Sequence, residues 1–169
     1  MAGDDAGNRR NAADTADARR SPADARLLLD VMLGKLTTYL RMAGYDAAYA
    51  LDRGIEADDR LLDLADAEDR LLVTRDADLA RRADGLLLES RDVTDQLREL
   101  TDAGFALGLS EPARCSACNA ELAAVDPAAE TPDYAPDPAE TRVWRCPACG
   151  QHFWKGSHWA SVAETLADC

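Results

Sequence analysis

Two groups of residues in this sequence have types and spacings that suit chemistry: paired cysteines, and aspartates that follow apolar runs. The cysteines form two C-x-x-C pairs on either side of a spacer rich in Pro and Asp. The turn inside each pair lets both thiolates reach one metal ion, and two pairs supply the four sulfurs of a tetrahedral zinc site. The sequence therefore predicts a structural zinc bound by Cys115, Cys118, Cys146 and Cys149.

A site closed by four cysteines leaves no open position, so we do not expect catalysis by this zinc. The alternatives are a redox-active pair or a cysteine cluster without metal. Cys169 and His152 lie outside the two pairs and are not expected to be ligands. Since no secretion signal precedes them, paired C-x-x-C units favour a metal over disulfides.

Aspartates occur directly after two apolar runs. Residues 70–74, RLLVT, are typical of a buried strand, and Asp76 and Asp78 follow within four residues. Asp30 ends a similar run over residues 25–30. In a parallel α/β sheet, ligands gather beyond the carboxyl ends of the strands, where the strand order reverses. We therefore expect these carboxylates to share one edge of the sheet.

Asp58 adds a third acidic position, near the start of a helix predicted over residues 56–69. At 100° per residue it faces the same way as Leu61 and Ala65, which predicts a core-facing carboxylate. Clustered carboxylates repel one another without a cation, and oxygen ligands suit Mg²⁺ or Mn²⁺, which activate water for phosphodiester cleavage. Taken singly, Asp58 and Asp76 favour structural roles, a helix N-terminus and a helix cap; taken together at the strand ends, the aspartates favour a site.

The elements that must position these residues alternate along the chain. Short apolar runs alternate with helical patterns, which predicts an α/β domain with a parallel sheet flanked by helices. No glycine-rich phosphate loop follows the first strand, which disfavours a Rossmann-like nucleotide-binding domain. The predicted strands are 25–30, 46–51, 70–74 and 86–90, the second being the weakest pattern, and the predicted helices are 33–43, 56–69, 76–84 and 92–104.

The predicted organisation has three parts. Residues 1–24 read as a solvated tail, because they contain almost no large apolar residue. Residues 25–110 form the α/β domain. Residues 111–169 form a small zinc ribbon, which contains a Pro- and Asp-rich loop over 126–138 and ends in a helix over 157–168.

The charge composition is strongly acidic. The net charge is −13, with 23 Asp against 9 Glu, and 17 Arg against only two Lys. This argues against a chain-wide basic surface for nucleic acid, and it is typical of a protein adapted to concentrated salt, where self-repulsion is screened. With no apolar run of membrane-spanning length and no secretory signal, the sequence predicts a cytoplasmic protein without a membrane partner.

One window departs from this acidic pattern. Between Glu140 and Glu164 there is no acidic residue, although all three Trp, both His and Lys155 lie there. Aromatic side chains interleaved with cations can stack bases and hold phosphates. The same aromatics could instead pack the ribbon against the α/β domain, and the sequence leaves both interpretations open.

Several stretches resemble the Mut-seven C-terminal ribonuclease domain family, a PIN-like nuclease domain followed by a zinc ribbon. The resemblance covers about residues 26–165 and includes the two cysteine pairs. The other matching stretches are LDVMLGKLTTYLRMAGYD (29–46), DDRLLDLA (58–65), LLVTRDADLARRA (71–83) and FWKGSHW (153–159).

The resemblance implies a divalent-metal-dependent ribonuclease that hydrolyses single-stranded or structured RNA. The alternative is a non-catalytic module that binds RNA or a protein through the ribbon. In the first case the catalytic Mg²⁺ or Mn²⁺ would be held by Asp30, Asp58 and Asp76. Asp78 would be a fourth catalytic candidate, and the expected phosphate contacts are Lys35, Arg75 and Lys155.

Overall fold

The computed structural model describes residues 20–169, so most of the predicted tail over 1–24 lies outside the described residues. The first half contains four strands: β1 (Arg26–Leu29), β2 (Asp46–Tyr49), β3 (Leu71–Thr74) and β4 (Leu86–Leu87). They alternate with four helices: α1 (Gly34–Met42), α2 (Asp58–Ala67), α3 (Ala77–Ala83) and α4 (Val93–Asp102). The second half contains β5 (Ala123–Ala124), β6 (Val143–Arg145), β7 (His152–Trp154) and α5 (Ser157–Ala167).

The first four strands form one parallel sheet in the order β2-β1-β3-β4. This confirms the predicted α/β fold, including the weakly patterned second strand, which is an edge strand. The fourth strand is shorter than the predicted 86–90. The backbone N–H groups of Glu89 and Ser90 donate to the carboxylate of Glu99 at 2.8 Å each, instead of continuing the strand.

Alternate residues of β1 enter two separate apolar clusters on opposite faces of the sheet. Leu27 and Leu29 pack on the face covered by α1 and α4, whereas Leu28 packs on the face covered by α2 and α3. All three are fully buried, as expected for a central parallel strand with helices on both sides. The near-continuous apolar character of residues 27–29 thus follows from burial on both faces.

Glycines end two of the helices, but α3 ends differently. Gly44 and Gly104 both have φ +93, a left-handed conformation that favours glycine. After α3 the left-handed residue is Asp84, with φ +49, rather than Gly85. Gly85 is required for a different reason: a Cβ there would lie 2.5 Å from the carbonyl oxygen of Leu72.

The three strands of the ribbon form an antiparallel sheet in the order β5-β6-β7. Helix α5 follows directly and packs its second half against the α/β domain. Its buried residues Val162 and Leu166 belong to the same apolar cluster as α1 and α4. Within residues 20–169, no helix is both long enough and apolar enough to cross a membrane.

Candidate metal centres at the sheet edge and in the ribbon

The four predicted zinc ligands meet at one point. The sulfur ligand atoms of Cys115, Cys118, Cys146 and Cys149 all lie within 4.8 Å of one another. The Sγ atoms of Cys115 and Cys149 are 3.6 Å apart, and those of Cys118 and Cys146 are 3.5 Å apart. A tetrahedral zinc with Zn–S bonds near 2.3 Å requires sulfurs about 3.8 Å apart. The cluster is therefore compatible with a structural zinc.

The two cysteine pairs have the same local backbone. In each, the N–H of the residue after the second cysteine donates to the carbonyl of the first cysteine, at 2.9 Å in both cases. That residue is left-handed both times: Asn119 has φ +71 and Gly150 has φ +80. Asn and Gly are the residues that adopt this conformation at least cost, so the local sequence builds both turns.

The thiols differ in their electrostatic surroundings. Burial raises the pKa of the Cys115 thiol well above its ordinary value. Burial would also raise the pKa of Cys146, but backbone N–H groups of Cys149 and Ala148 outweigh it and lower that pKa. A bound divalent cation would favour the thiolate form of all four. The ligand chemistry and the geometry both fit zinc.

The first cysteine turn docks on the edge strand β2. The side-chain oxygen of Asn119 accepts a hydrogen bond from the N–H of Ala47 at 3.0 Å. The buried guanidinium of Arg41 donates to the carbonyl of Ala47 at 2.9 Å and to those of Ser116 and Ala117 at 3.2 and 3.1 Å. Polar atoms of an edge strand, which would otherwise face solvent, are thus paired with the ribbon.

Asp46, the first residue of β2, joins the same contact. Its carboxylate accepts hydrogen bonds from Arg70 at 2.8 Å and from the side-chain amide of Asn119 at 2.8 Å. Burial alone would raise the pKa of Asp46, but the bonds from Arg70 and Asn119 outweigh it and lower the pKa to about 2. The chain therefore holds Asp46 ionised in the folded state.

At the carboxyl edge of the sheet, the structure brings Asp30 against the end of β3. Asp30 is only 6% exposed, and its Oδ2 accepts a hydrogen bond from the hydroxyl of Thr74 at 2.7 Å. Its Oδ1 accepts from the N–H of Val31 at 2.7 Å. The expected proximity of these two strand ends is confirmed.

Tyr49 of β2 is affected by the same carboxylate. Its own burial raises its pKa most, and the negative charges of Asp52 and Asp30 raise it further.

Asp76 follows on the same edge as the N-cap of α3. Its Oδ1 accepts from the N–H groups of Asp78 at 2.9 Å and Leu79 at 3.0 Å, and its own N–H donates to the Thr74 hydroxyl at 3.0 Å. Thr74 therefore links Asp30 to Asp76. The helix-capping role expected for Asp76 is present, and because it uses Oδ1, it leaves Oδ2 out of the cap.

Asp58 and Asp78 are placed differently. Both are exposed, so the expectation that Asp58 faces the core is wrong. Asp58 is the first residue of α2, and the buried stripe of that helix starts one turn later, at Leu61. Asp78 forms an ion pair with Arg81. A hydrogen bond from Arg82 to Asp59, followed by the charges of Asp78 and Asp58, raises the pKa of Arg82.

The predicted carboxylates do not converge as closely as the cysteines. Over residues 20–169, the cysteine cluster is the one group of three or more His, Cys, Asp or Glu side chains whose ligand atoms lie together. Asp30 and Asp76 occupy adjacent strand ends, whereas Asp58 lies beside Arg82. The oxygen donors at the strand ends have the chemistry that Mg²⁺ or Mn²⁺ prefers.

The predicted phosphate-binding cations occupy three separate places. Lys35 is exposed in the first turn of α1, five residues after Asp30. Arg75 is half-buried, and its Nε has no partner among the described residues. Burial would raise the pKa of Glu99, but hydrogen bonds from Ser90 and Glu89, followed by the charge of Arg75, lower it. Lys155 lies on the ribbon, with its Nζ 5.8 Å from the ring of Trp159.

Sequence reasoning did not assign a site role to Thr74, although its hydroxyl bonds Asp30. A signal was present, because a threonine ends an otherwise apolar strand that is buried on both faces. Arg41 and Asn119 were also missed. Their roles depend on contacts between residues more than 70 positions apart, such as the one between Arg41 and the carbonyl of Ser116, and no local pattern reports those.

Comparison with protein families gives a match to the Mut7-C RNAse domain over residues 25–166. The chain belongs to the Mut7-C RNAse domain family. The match includes the sheet, the ribbon and nearly all of α5, so the Mut7-C domain of this chain contains both candidate metal centres. Comparisons with curated proteins and with solved structures found no match.

Proposed function

We propose that this Mut7-C domain is a divalent-metal-dependent ribonuclease that hydrolyses phosphodiester bonds of RNA. The family match supports a nuclease-like domain. The polar residues at the carboxyl ends of β1 and β3 support the position of the site, because the strand order reverses between these two strands.

The observation that carries the proposal is the environment of Asp30. This carboxylate is 6% exposed, and both of its hydrogen-bond donors, the Thr74 hydroxyl and the Val31 N–H, are neutral. Within the part of the chain that the structure describes, no Lys or Arg forms an ion pair with it. A buried carboxylate is costly without a cation, so a divalent ion at this edge would stabilise it.

Each residue at the edge then has a distinct task. Asp30 and Asp76 would hold Mg²⁺ or Mn²⁺, with Asp58 and Asp78 as further acidic candidates. When bound, such an ion activates water and offsets the charge that develops on the leaving oxygen. Thr74 orients Asp30 through its hydroxyl, and Lys35 is placed to contact a phosphate.

The proposal includes a structural zinc in the ribbon. The four thiols of Cys115, Cys118, Cys146 and Cys149 close the coordination shell, so this metal holds the ribbon on β2 and takes no part in the reaction. The two metals therefore have separate functions, and removing one is distinguishable from removing the other.

The test is cleavage of labelled single-stranded and structured RNA with Mn²⁺, comparing the wild type with Asp30→Asn. We expect the variant to lose about 100-fold or more of the activity, because the amide cannot neutralise the cation. Asp63→Asn is the matched control: Asp63 is an exposed acidic residue of α2, and its loss should leave cleavage unchanged.

Zinc content and the melting temperature of each variant show whether the fold is intact. Equal cleavage by a folded Asp30→Asn variant and the wild type would contradict the proposed site. Cleavage by the wild type that persists after Mn²⁺ is replaced by a metal-free buffer would contradict the metal dependence.

A non-catalytic RNA- or protein-binding module is the second candidate function. The observation that favours it is an aromatic cavity between the ribbon and the α/β domain. Under this alternative, the wild type binds a partner but cleaves no RNA with any divalent metal. The cleavage assay above separates the two functions.

A further inference from the structure

A cavity of about 300 Å³ lies between the ribbon and the α/β domain. It is lined by strand β7 and the first turn of α5, by the segment around Arg114, and by Met42 at the end of α1. Its volume is at the lower end of the range for small-ligand pockets in proteins.

The aromatic residues of the ribbon divide into two groups. Trp144 is 5% exposed and packs inside the ribbon, as the packing interpretation of these aromatics predicts. Phe153, Trp154 and Trp159 are half-buried and line the cavity. Their exposed ring surface is therefore available to a flat partner.

The cavity also differs from the rest of the chain in charge. None of the described residues that line it is acidic, in a chain whose net charge is −13. The guanidinium-bearing Arg114 is among its lining residues, and the Lys155 Nζ lies 5.8 Å from the ring of Trp159. This combination of indole surface and cations complements an anion that carries an aromatic ring.

We infer that this cavity binds one unpaired nucleotide of the RNA substrate, an inference that rests on the proposed ribonuclease function. The base stacks on Trp159, and Lys155, whose Nζ lies 5.8 Å from that ring, contacts its phosphate. A base inside a duplex is stacked and paired on both sides, so the cavity selects single-stranded RNA.

The position of the cavity sets where the RNA must run. Helix α1 has nine residues and therefore spans about 14 Å, with Lys35 in its first turn, near the acidic edge, and Met42 at the cavity. A single-stranded RNA held at the cavity has to follow this helix to reach Asp30. An RNA too short to span α1 therefore contacts either the cavity or the acidic edge around Asp30, but not both.

The experiment measures the affinity of the full chain, with its zinc, for a fluorescein-labelled unstructured RNA by anisotropy, without added Mg²⁺ or Mn²⁺. We expect Trp159→Ala to weaken binding about tenfold, the loss of one base-stacking contact. Trp159→Phe keeps an aromatic ring and should retain most of the affinity. A fully paired duplex of the same sequence should not compete.

A second pair of variants tests the charge. Lys155→Ala removes the cation beside Trp159, whereas Arg98→Ala removes an exposed cation from α4, and only the first should weaken binding. Equal affinities of the wild type, Trp159→Ala and Lys155→Ala, with the fold intact, would overturn the inference and assign the cavity to packing or to a protein contact. Competition by the duplex as strong as by the single strand would also overturn it.

These outcomes separate this inference from the proposed function. If cleavage depends on Asp30 but RNA binding is unchanged by Trp159→Ala, the ribonuclease function is supported and nucleotide binding in the cavity is rejected. If RNA binding depends on Trp159 but no divalent metal gives cleavage, nucleotide binding in the cavity is supported and the ribonuclease function is rejected.

Discussion

Burial distinguishes the aspartates that the sequence treats alike. Asp30, Asp58 and Asp76 all follow apolar runs or begin helices and are predicted metal ligands, with helix capping or a helix N-terminus as the alternative for Asp58 and Asp76. In the structure only Asp30 is buried, while Asp76 caps α3 and Asp58 is exposed. Periodicity places a side chain around a helix axis, but it does not report how far the first turn extends beyond the sheet.

Asp46 gives a prediction at the scale of one residue. Its folded pKa of about 2 is below the ordinary value of 3.8, so it stabilises the fold fully above pH 3.8. This contribution is lost as the pH falls through about 2, and it is on the order of 2 kcal/mol. We expect Asp46→Asn to lower the free energy of unfolding at pH 7 by a similar amount.

The measurement is chemical denaturation of the wild type and Asp46→Asn between pH 7 and pH 2. The difference between the two proteins should be constant down to about pH 4 and shrink below it. Release of zinc in acid affects both proteins, so the difference largely cancels it. A difference that does not change with pH would show that the Asp46 carboxylate is not stabilised by its partners.

Strand β2 is an edge strand of the sheet, so its outer backbone groups need partners other than a neighbouring strand. Edge strands expose unpaired backbone groups that can pair with another chain. Here the first cysteine turn of the ribbon pairs with β2 through Asn119, and Arg41 bonds both β2 and that turn. The ribbon therefore completes the α/β domain structurally.

Two substitutions of Asn119 separate its two contributions. Asn119→Gly keeps the left-handed backbone but removes the bonds to Ala47 and Asp46, and it should cost about 1–3 kcal/mol of unfolding free energy. Asn119→Ala removes the same bonds and adds about 1 kcal/mol of backbone strain at φ +71.

Denaturation with zinc present should therefore rank the proteins wild type, Asn119→Gly and Asn119→Ala, in falling order of stability. If Asn119→Gly were as stable as the wild type, the contact of Asn119 with β2 would contribute nothing to the free energy of unfolding. If Asn119→Ala were more stable than Asn119→Gly, the left-handed backbone conformation at this position would be contradicted.

At the scale of helices and strands, the sequence predicts most of the fold. The helices, the parallel strands and the four zinc ligands have local signals, namely apolar periodicity and the C-x-x-C spacing. The shortened β4 was not predictable, because Glu99 competes for its N–H groups from another helix. The cavity of the ribbon was not predictable either, since it depends on which aromatics pack and which stay half-exposed.

For the whole molecule, we predict that removal of the proposed zinc destabilises the α/β domain as well as the ribbon. Without metal, the first cysteine turn loses its shape, and the backbone groups of β2 lose their partners. The test is thermal unfolding followed by the far-ultraviolet signal of the helices, before and after treatment with a thiol-selective chelator. An unchanged melting temperature, with zinc loss verified, would contradict the coupling.

The packing of α5 has a consequence for how the chain is made. Strand β1 needs Val162 and Leu166 to complete its apolar cluster, and these residues are synthesised more than 130 positions later. After the sheet and helices α1 to α4 have been synthesised, the part of this cluster that Val162 and Leu166 cover is still exposed to solvent. Contacts of such long sequence separation slow folding and lengthen exposure to aggregation. We expect a nascent chain that ends before α5 to be a client of chaperones and proteases.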